Sequence, residues 1–162
     1  LWSTKLLDNI GAEPVASSQV VYVAGLDQHL RAFDLFNGKT RWRVLTSTPL
    51  VDSPVLIGDR VYQQIPGEGL AAFAALPAND FNGHRYWINN KIGGNVLTRH
   101  GSSLVVWDSS NHVLGTISSS QGTADTMLHV PDVVQVIADD LDNGTLYALG
   151  FNGRLTCLTP SN

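Results

Sequence analysis

Hydrophobic and polar positions alternate along the chain with a short period that predicts β-strands. The segment VVYVAGLDQHLRAFDLFNGKTRW (20–42) contains two apolar runs separated by a polar turn, followed by an Asn-Gly pair and a tryptophan. Valine, tyrosine and phenylalanine favour a pleated, half-buried strand, and Asn-Gly favours a hairpin turn. An apolar stripe of helical period extends over no more than about two turns. We therefore predict an all-β fold.

The pattern of 20–42 recurs along the chain. Copies follow at 60–87, at 103–117 and at 146–157, with offsets of 40, 83 and 125 residues. The third copy is the weakest, because it lacks the Asn-Gly pair and the tryptophan that follows it. A repeat of about 40–45 residues built from short strands is typical of β-propeller blades.

The second copy resolves into four predicted strands, at 54–57, 60–65, 70–74 and 84–88. The stretch EGLAAFAAL (68–76) is rich in alanine and has helical propensity. Its register in the repeat is that of a strand, so we predict a strand there.

Three tryptophans occupy one slot of the repeat. Trp42 lies 40 residues after Trp2 and 45 residues before Trp87. We interpret each one as an aromatic residue of an outer strand that closes its blade against the next, since a buried indole contributes a large packing area. A ligand-binding aromatic belt is the alternative interpretation. Residues 1–7 are accordingly predicted to be the outer strand of a flanking blade.

Predicted blades cover 14–45, 53–89, 94–130 and 133–159, the last without an outer strand of its own. A β-propeller has about four to eight blades. We expect these four blades to form part of a larger ring of seven or eight. A strand such as 1–7 is expected to complete the last sheet, and we expect it to come from a second copy or from missing blades rather than from the same chain closing a four-bladed ring. Because the chain begins at Leu1, we expect a processed product or a piece of a longer protein.

Composition narrows the classes of function. The chain has 162 residues, of which 43% are hydrophobic and 15% charged, and its net charge is −4. This apolar content is enough for a folded core. The acidic balance and the lack of a basic run argue against nucleic acid as a partner. No apolar stretch reaches the roughly 18–20 residues of a membrane span, so membrane insertion is not expected.

The first copy carries a family resemblance. Its pattern is a strand ending in Gly, a turn with Asp, Leu-x-Ala-hydrophobic-Asp, Gly-Lys and Trp. The residues that carry it are Val21, Tyr22, Val23, Gly25, Asp27, Leu30, Arg31, Ala32, Phe33, Asp34, Gly38, Lys39 and Trp42. This resembles the repeat of the PQQ-dehydrogenase-like (quinoprotein and BamB-like) β-propellers. The resemblance covers essentially the whole chain.

Two classes of function are implied by this resemblance. One is a scaffold propeller that binds proteins in the periplasm or cell envelope of a bacterium. The other is a quinoprotein dehydrogenase that holds PQQ and calcium. Fold alone does not choose between them. We expect the scaffold; the alternatives are a fragment of a PQQ- and calcium-dependent dehydrogenase, or a propeller that binds carbohydrate or another ligand through its tryptophans.

The residues favour a chain without a cofactor. A quinoprotein enzyme is expected to carry an adjacent cysteine pair, whereas Cys157 is the only cysteine. It falls in the slot of Ala32, so we predict a buried, unreactive side chain. The stretch ADDLDNGT (138–145) resembles half of a calcium loop, but no acid closes the loop, and a hairpin turn is predicted instead. We expect no catalytic residues, no PQQ and no calcium.

Polar residues of the connecting loops form the candidate interaction face. We predict that His29, Asp52, Glu68, His112 and Arg154 lie on one face of the blades. The loops concerned are 25–29, 47–53, 65–69, 108–112 and 150–154. His29 and His112 share one slot of the repeat at an offset of 83, and Arg154 falls in the same slot of the last copy. Metal binding is not expected, because ligands on separate blades rarely converge on one ion.

Overall fold

The structure is a computed structural model that describes residues 1–77 and 81–158. All regular elements among these residues are β-strands, in agreement with the predicted all-β fold. None of the described residues belongs to a helix that is long and apolar enough to cross a membrane. Residue 159 of the last predicted blade and residues 78–80 of the second predicted blade lie outside the described residues. The chain divides into two units, 1–88 and 89–162.

Unit 1 contains two four-stranded sheets, each with its strands in chain order. The strands of the first sheet are β1 (Val15–Ala16), β2 (Val20–Ala24), β3 (His29–Asp34) and β4 (Thr40–Leu45). Those of the second are β5 (Val55–Ile57), β6 (Arg60–Ile65), β7 (Gly69–Ala74) and β8 (Arg85–Asn89). The predicted strands of the second copy are thereby confirmed, including the strand over the alanine-rich stretch.

Unit 2 contains a four-stranded and a three-stranded sheet. The first consists of β9 (Asn95–His100), β10 (Ser103–Asp108), β11 (Val113–Ser118) and β12 (Ala124–His129). The second consists of β13 (Val133–Ala138), β14 (Leu146–Gly150) and β15 (Leu155–Leu158), so β15 is its outer strand among the described residues.

The pairing of strands gives the repeat its register. Tyr22 lies opposite Ala32 in the first sheet, and Tyr147 lies opposite Cys157 in the last, as the offset of 125 predicts. In the third sheet Val105 lies opposite Thr116, one residue further along than the offset of 83 predicts. The turn between β10 and β11 is therefore one residue longer than its counterpart between β2 and β3.

Trp42 closes the junction between the two sheets of unit 1. Its side chain is buried, and its ring stacks on Phe73 of the second sheet with the ring centres 6.4 Å apart. The indole Nε1 donates to Ala75 O at 3.0 Å, and the same carbonyl accepts from the Tyr22 hydroxyl at 3.1 Å. The predicted structural role of this tryptophan is confirmed, and its burial leaves no ring face open for a ligand.

Trp2 makes the corresponding contact with the first sheet. Its Nε1 donates to Leu35 O at 2.8 Å, across the same 33-residue separation as the bond from Trp42. Its ring lies on Gly38, which has a φ of +71°. The contact requires a glycine there, because a β-carbon would collide with the indole ring. Residues 1–7 themselves are not in a strand, contrary to our expectation. A strand needs a neighbour to pair with, whereas the tryptophan contact needs only the next blade.

Candidate functional site

Three connections lie at one end of unit 1, where β2, β4 and β6 end and β3, β5 and β7 begin. We call the segments 25–29, 45–54 and 66–68, which include the first residue of β3 and the last residue of β4, the loop face. The turn at 35–39 and the segments 75–77 and 81–84 lie at the far ends of β3 and β7 and form the hairpin end of the same unit. The antiparallel strands therefore separate these two sets of connections.

Hydrogen bonds connect the middle segment of the loop face to the first and the third segment. Thr46 donates to Gln28 O from its backbone nitrogen at 2.8 Å and from its hydroxyl at 3.0 Å. Thr48 Oγ1 donates to Pro66 O at 2.8 Å. The backbone nitrogen and hydroxyl of Ser47 both donate to Glu68 Oε1, the former at 3.2 Å. The three segments are therefore held in one arrangement before any partner arrives.

The loop face carries exposed apolar side chains and one acidic side chain. Leu45, at the end of β4, is 67% exposed, and Val51 is 53% exposed. The acidic side chain is Glu68, which accepts from Ser47 and has Oε2 3.9 Å from a guanidinium nitrogen of Arg85. Exposed aliphatic side chains on a fixed backbone are suited to a protein partner, because little conformational entropy remains to be lost on binding.

A buried ion pair supports the first turn of the loop face. Arg31 donates to both carboxylate oxygens of Asp27, at 2.8 and 2.5 Å, and both side chains are largely buried. The guanidinium of Arg31 holds the pKa of the Asp27 carboxyl below its usual value. The repeat pattern contains both residues but does not indicate that they form an ion pair. The available signal is an aspartate in a tight turn with an arginine four residues later.

His29 directly follows this turn, and Asp52 lies in the middle segment of the loop face. His29 Nδ1 is 2.8 Å from Asp27 O and 3.8 Å from Asp27 Oδ1. Asp52 accepts a bond from buried Gln63 Nε2 through its backbone oxygen, at 2.9 Å. The Gln63 Oε1 atom has no hydrogen-bond partner among the described residues. The loop face thus brings the segments of His29, Asp52 and Glu68 together, without converging their side chains.

His112 does not occupy the slot of His29, which corrects our alignment. His112 has a φ of 52° and its carbonyl accepts from Val130 N at 2.8 Å. In unit 1 the residue with these two features is Gln28, which precedes His29. The longer turn between β10 and β11 causes the shift. Arg154 does match His29, since the bond from Gly25 N to His29 O recurs from Gly150 N to Arg154 O, both at 2.9 Å.

Within unit 2 two of the predicted loops meet. The ring of His112 lies 6.0 Å from the ring of Phe151, which belongs to the 150–154 turn. His112 Nδ1 is also 2.7 Å from Val133 O. The Arg154 side chain is exposed at the end of the same turn. His112 therefore acts as a contact between loops, and Arg154 is the more accessible of the two.

The acidic stretch 138–145 forms the connection between β13 and β14, as predicted. Asp139 accepts from Thr145 N at 2.7 Å and Asp140 from Asp142 N at 3.0 Å. Asp142 pairs with Arg99 at 3.1 Å. These carboxylates stabilise the turn. Among the described residues no three His, Cys, Asp or Glu side chains are grouped so that they could hold a metal ion.

Cys157 is exposed, and the prediction that it is buried was wrong. Its register is the predicted one, opposite Tyr147. Ala32 is buried in the same slot because Trp42 lies opposite it on β4. Within the described residues β15 has no further strand beside it, so the thiol of Cys157 reaches solvent.

Comparisons with known proteins agree with this fold. The chain is similar to BamB from Moraxella catarrhalis, with a TM-score of 0.72 and 19% identity over 97% of this chain and 46% of that chain. It is similar to the computationally designed Ika4 protein, with a TM-score of 0.72 and 9% identity over 97% and 94% of the two chains. The β-propeller domain of Myceliophteria thermophila Cps50 (Swd1) has a TM-score of 0.72 and 11% identity, over 95% and 52%.

These structural likenesses show the β-propeller fold. The chain spans about half the length of the Moraxella protein, which it covers to 46%. No curated protein matches the sequence. A family profile, described as outer membrane protein assembly factor BamB, matches residues 1–162. The blades, their register and this match over the whole sequence place the chain in the BamB-like family of PQQ-repeat β-propellers.

Proposed function

We propose that this chain is a non-catalytic β-propeller scaffold that binds another protein in the cell envelope of a bacterium during the assembly of outer-membrane proteins. The observation that supports this function is the loop face, whose three segments are hydrogen-bonded to one another while Leu45 and Val51 remain exposed. A fixed apolar surface of this kind favours association with a folded partner. The family description supplies the biological process.

The proposed mechanism is display. Rigid strands hold the connections in place, and the exposed loop side chains make the contacts. Leu45 and Val51 are proposed to supply the apolar centre of the contact. Glu68 and Arg85 are proposed to lie at its polar rim, where charges influence the rate and specificity of association more than its strength.

Deletion of the gene that encodes this chain tests the proposed function. We expect purified outer membranes of the deletion strain to contain less of several β-barrel proteins, measured by quantitative mass spectrometry. Inner-membrane proteins are the control and are expected to be unchanged. Re-expression of the wild-type gene should restore the barrel proteins. Unchanged barrel levels in the deletion strain would contradict the proposal.

The proposed location has a separate test. In intact cells an added protease should spare the protein, whereas in cells whose outer membrane has been permeabilised it should digest the protein. A cytoplasmic marker is the control and should survive both treatments. Survival of the protein in permeabilised cells, alongside this marker, would contradict a location in the envelope.

A further inference from the structure

A polar cleft lies beside the hairpin end of unit 1, between the first and the second sheet. It has a volume of about 410 Å³, in the lower part of the range of ligand pockets, about 300–1,000 Å³. The turn between β1 and β2 (17–19) and the turn between β5 and β6 (58–59) both line it. Its described lining residues include Ser18, Gln19, Tyr22, Leu56, Asp59 and Tyr86.

Both sheets that bound the cleft have four strands within unit 1. The 17–19 turn follows β1, at one edge of the first sheet. Phe81 contacts the opposite edge of that sheet, where its carbonyl accepts from the backbone nitrogen of Arg43 on β4 at 3.0 Å. The opening of the cleft therefore lies between two complete sheets and does not depend on an end of the chain.

The backbone of the 17–19 turn is fixed, whereas two of its side chains are not engaged. Ser17 N donates to Val20 O at 2.8 Å, and Ser17 Oγ accepts from the backbone nitrogens of Gln19 and Val20 at 3.2 and 3.0 Å. Gln19 O accepts from Leu35 N at 2.9 Å. Within the described part of the chain, the exposed side chains of Ser18 and Gln19 make no hydrogen bond with the protein. A hydroxyl and an amide are thus held ready for a ligand.

The second sheet contributes a carboxylate and an aromatic ring to the same cleft. Asp59 O accepts from Ala75 N at 2.9 Å, which fixes the 58–59 turn, and the Asp59 side chain is 86% exposed. Tyr86 is 43% exposed. Its ring centre lies 4.4 Å from the guanidinium carbon of Arg60 and 5.0 Å from the ring centre of His84. These contacts hold the ring in one position before a ligand arrives.

Tyr22 and Leu56 give the cleft a less polar part. Tyr22 is buried, and its hydroxyl donates to Ala75 O at 3.1 Å. Burial raises the pKa of this hydroxyl, so it stays protonated at neutral pH and keeps that bond. Leu56 adds an aliphatic side chain that is half-buried. The lining therefore combines hydrogen-bonding groups with carbon surface.

This combination fits a neutral sugar better than other ligand classes. A pyranose carries hydroxyl groups around its edge and C–H groups on its faces. Hydroxyl, amide and carboxylate side chains can satisfy the former, and aliphatic or aromatic carbon can cover the latter. Asp59 is the charged residue among the described lining residues, which disfavours an anion. The backbone groups that order the 17–19 turn are bonded within the chain, which disfavours pairing with a peptide backbone.

We propose that this cleft binds one sugar residue of a neutral glycan. Ser18, Gln19 and Asp59 bond to its hydroxyl groups, and Tyr86 and Leu56 contact its C–H groups. The site differs from a tryptophan belt, because it uses none of the tryptophans of the repeat. It goes beyond the proposed scaffold function and does not rest on it, since the partner contact lies at the loop face and the cleft lies at the other end of unit 1.

The binding test uses the purified 162-residue chain and three neutral disaccharides, maltose, cellobiose and diacetylchitobiose. Amide NMR spectra are recorded during each titration. We expect at least one disaccharide to cause saturable shifts that are concentrated in the signals of residues 17–19 and 58–59. The absence of a saturable shift with all three, or shifts that lie elsewhere in the chain, would overturn the proposal.

A matched pair of variants locates the site. Ser18→Ala combined with Gln19→Ala removes both unengaged side chains and should weaken binding by at least about tenfold. Ser120→Ala combined with Gln121→Ala makes the same change in an exposed turn of unit 2 and should bind like the wild type. Melting temperatures should stay close to the wild-type value for both variants, because the altered side chains are exposed. Unchanged binding by the cleft variant would overturn the proposal.

The deletion strain separates this site from the proposed function. The Ser18→Ala, Gln19→Ala variant should restore outer-membrane proteins as well as the Ser120→Ala, Gln121→Ala control does, although it has lost sugar binding. A failure of sugar binding by the wild-type chain, with normal restoration, would overturn the sugar site and leave the proposed function intact. Sugar binding without any effect of the deletion would support the site and count against the proposed function.

Discussion

At the scale of single residues, the loop face depends on the ion pair of Asp27 and Arg31. The two side chains lie under the first turn, where water cannot solvate either charge well. Two parallel hydrogen bonds compensate for this loss of solvation. Removing one partner would leave the other buried and uncompensated, which costs more than the intact pair contributes.

Asp27→Asn is expected to lower the free energy of unfolding at pH 7 by roughly 3 kcal/mol. The pKa of the Asp27 carboxyl is lowered in the folded state, so its contribution is complete above the unfolded pKa of about 3.9. The contribution is lost as the pH falls through the lower folded value. The difference between wild type and variant should therefore be full at pH 7 and should shrink below about pH 4.

Urea unfolding at several pH values measures this difference. Asp59→Asn is the matched control, because the Asp59 side chain is 86% exposed and lies 4.0 Å from its neighbour Arg60. It should change stability by no more than about 0.5 kcal/mol. A loss at Asp27→Asn that is the same at pH 7 and pH 3 would show that the ion pair is not its cause.

The exposure of Cys157 gives a second prediction at this scale. The thiol lies on β15 and reaches solvent, so it should react with a thiol reagent in the native chain nearly as fast as in the denatured chain. Stopped-flow absorbance with a chromogenic disulfide measures both rates. Since the sequence contains a single cysteine, the signal has one source. Strong protection in the native chain would show that β15 is covered in solution.

At the scale of elements, each sheet consists of short hairpins, and in unit 1 a tryptophan of the first sheet closes the junction with the second. The contact is partly apolar, through the stack of Trp42 on Phe73, and partly polar, through the carbonyl of Ala75. Tyr22 also donates to this carbonyl, so the Ala75 oxygen still accepts one hydrogen bond if the indole N–H is lost.

Trp42→Ala is expected to destabilise unit 1 by about 3–5 kcal/mol, because it removes a buried ring and leaves a cavity. Trp42→Phe is the comparison variant. It retains a ring beside Phe73 and loses the indole donor, so it should cost substantially less than the alanine variant. Thermal and urea unfolding measure both. Equal losses for the two variants would show that the hydrogen bond, not the ring packing, stabilises the junction.

The sequence predicts the elements of this fold well, because a period of two and the hairpin turns are local properties. The strand over 60–65 has the predicted bounds, and the alanine-rich stretch is a strand because its repeat register outweighs propensity. Three features depend on more than local pattern. His112 is shifted by one longer turn, residues 1–7 lack a strand neighbour, and Cys157 is exposed although its register is correct.

Only part of the candidate site could be predicted from the sequence, because local pattern places the loops but not the contacts of their side chains. The sequence placed His29, Asp52 and Glu68 in the connections that form the loop face, because loop positions follow from the repeat. It did not indicate that Arg31 would be buried against Asp27. That contact depends on how the turn folds back onto the strand that follows it, and alternation within one strand does not carry that information.

At the scale of the whole molecule, the chain is a set of blades that spans about half the length of a known BamB. We propose that the blades belong to a larger ring of seven or eight. The tryptophan contacts support this arrangement, since each one joins a blade to the next and Trp2 makes such a contact at the first blade.

The absence of a cofactor is a prediction at this scale. We expect the purified chain to bind neither PQQ nor calcium, because the acidic residues at 139–142 bond to backbone groups and to Arg99. Titration with PQQ should leave the quinone absorbance spectrum unchanged, and added calcium should leave the melting temperature unchanged. A stoichiometric quinone complex, or a calcium-dependent rise in the melting temperature, would support the quinoprotein alternative.

We propose that the loop face of unit 1 makes the contacts with the partner protein. A variant with Leu45→Glu and Val51→Glu introduces charge into its exposed apolar positions. The matched control carries Phe36→Glu and Leu76→Glu at the hairpin end, where the side chains are 74% and 53% exposed, against 67% and 53% on the loop face.

The most direct measurement is the amount of outer-membrane β-barrel protein in the deletion strain that expresses each variant at an equal level. We predict that the control restores the wild-type amount and that the loop-face variant does not. Equal restoration by the loop-face variant and the control would contradict the claim.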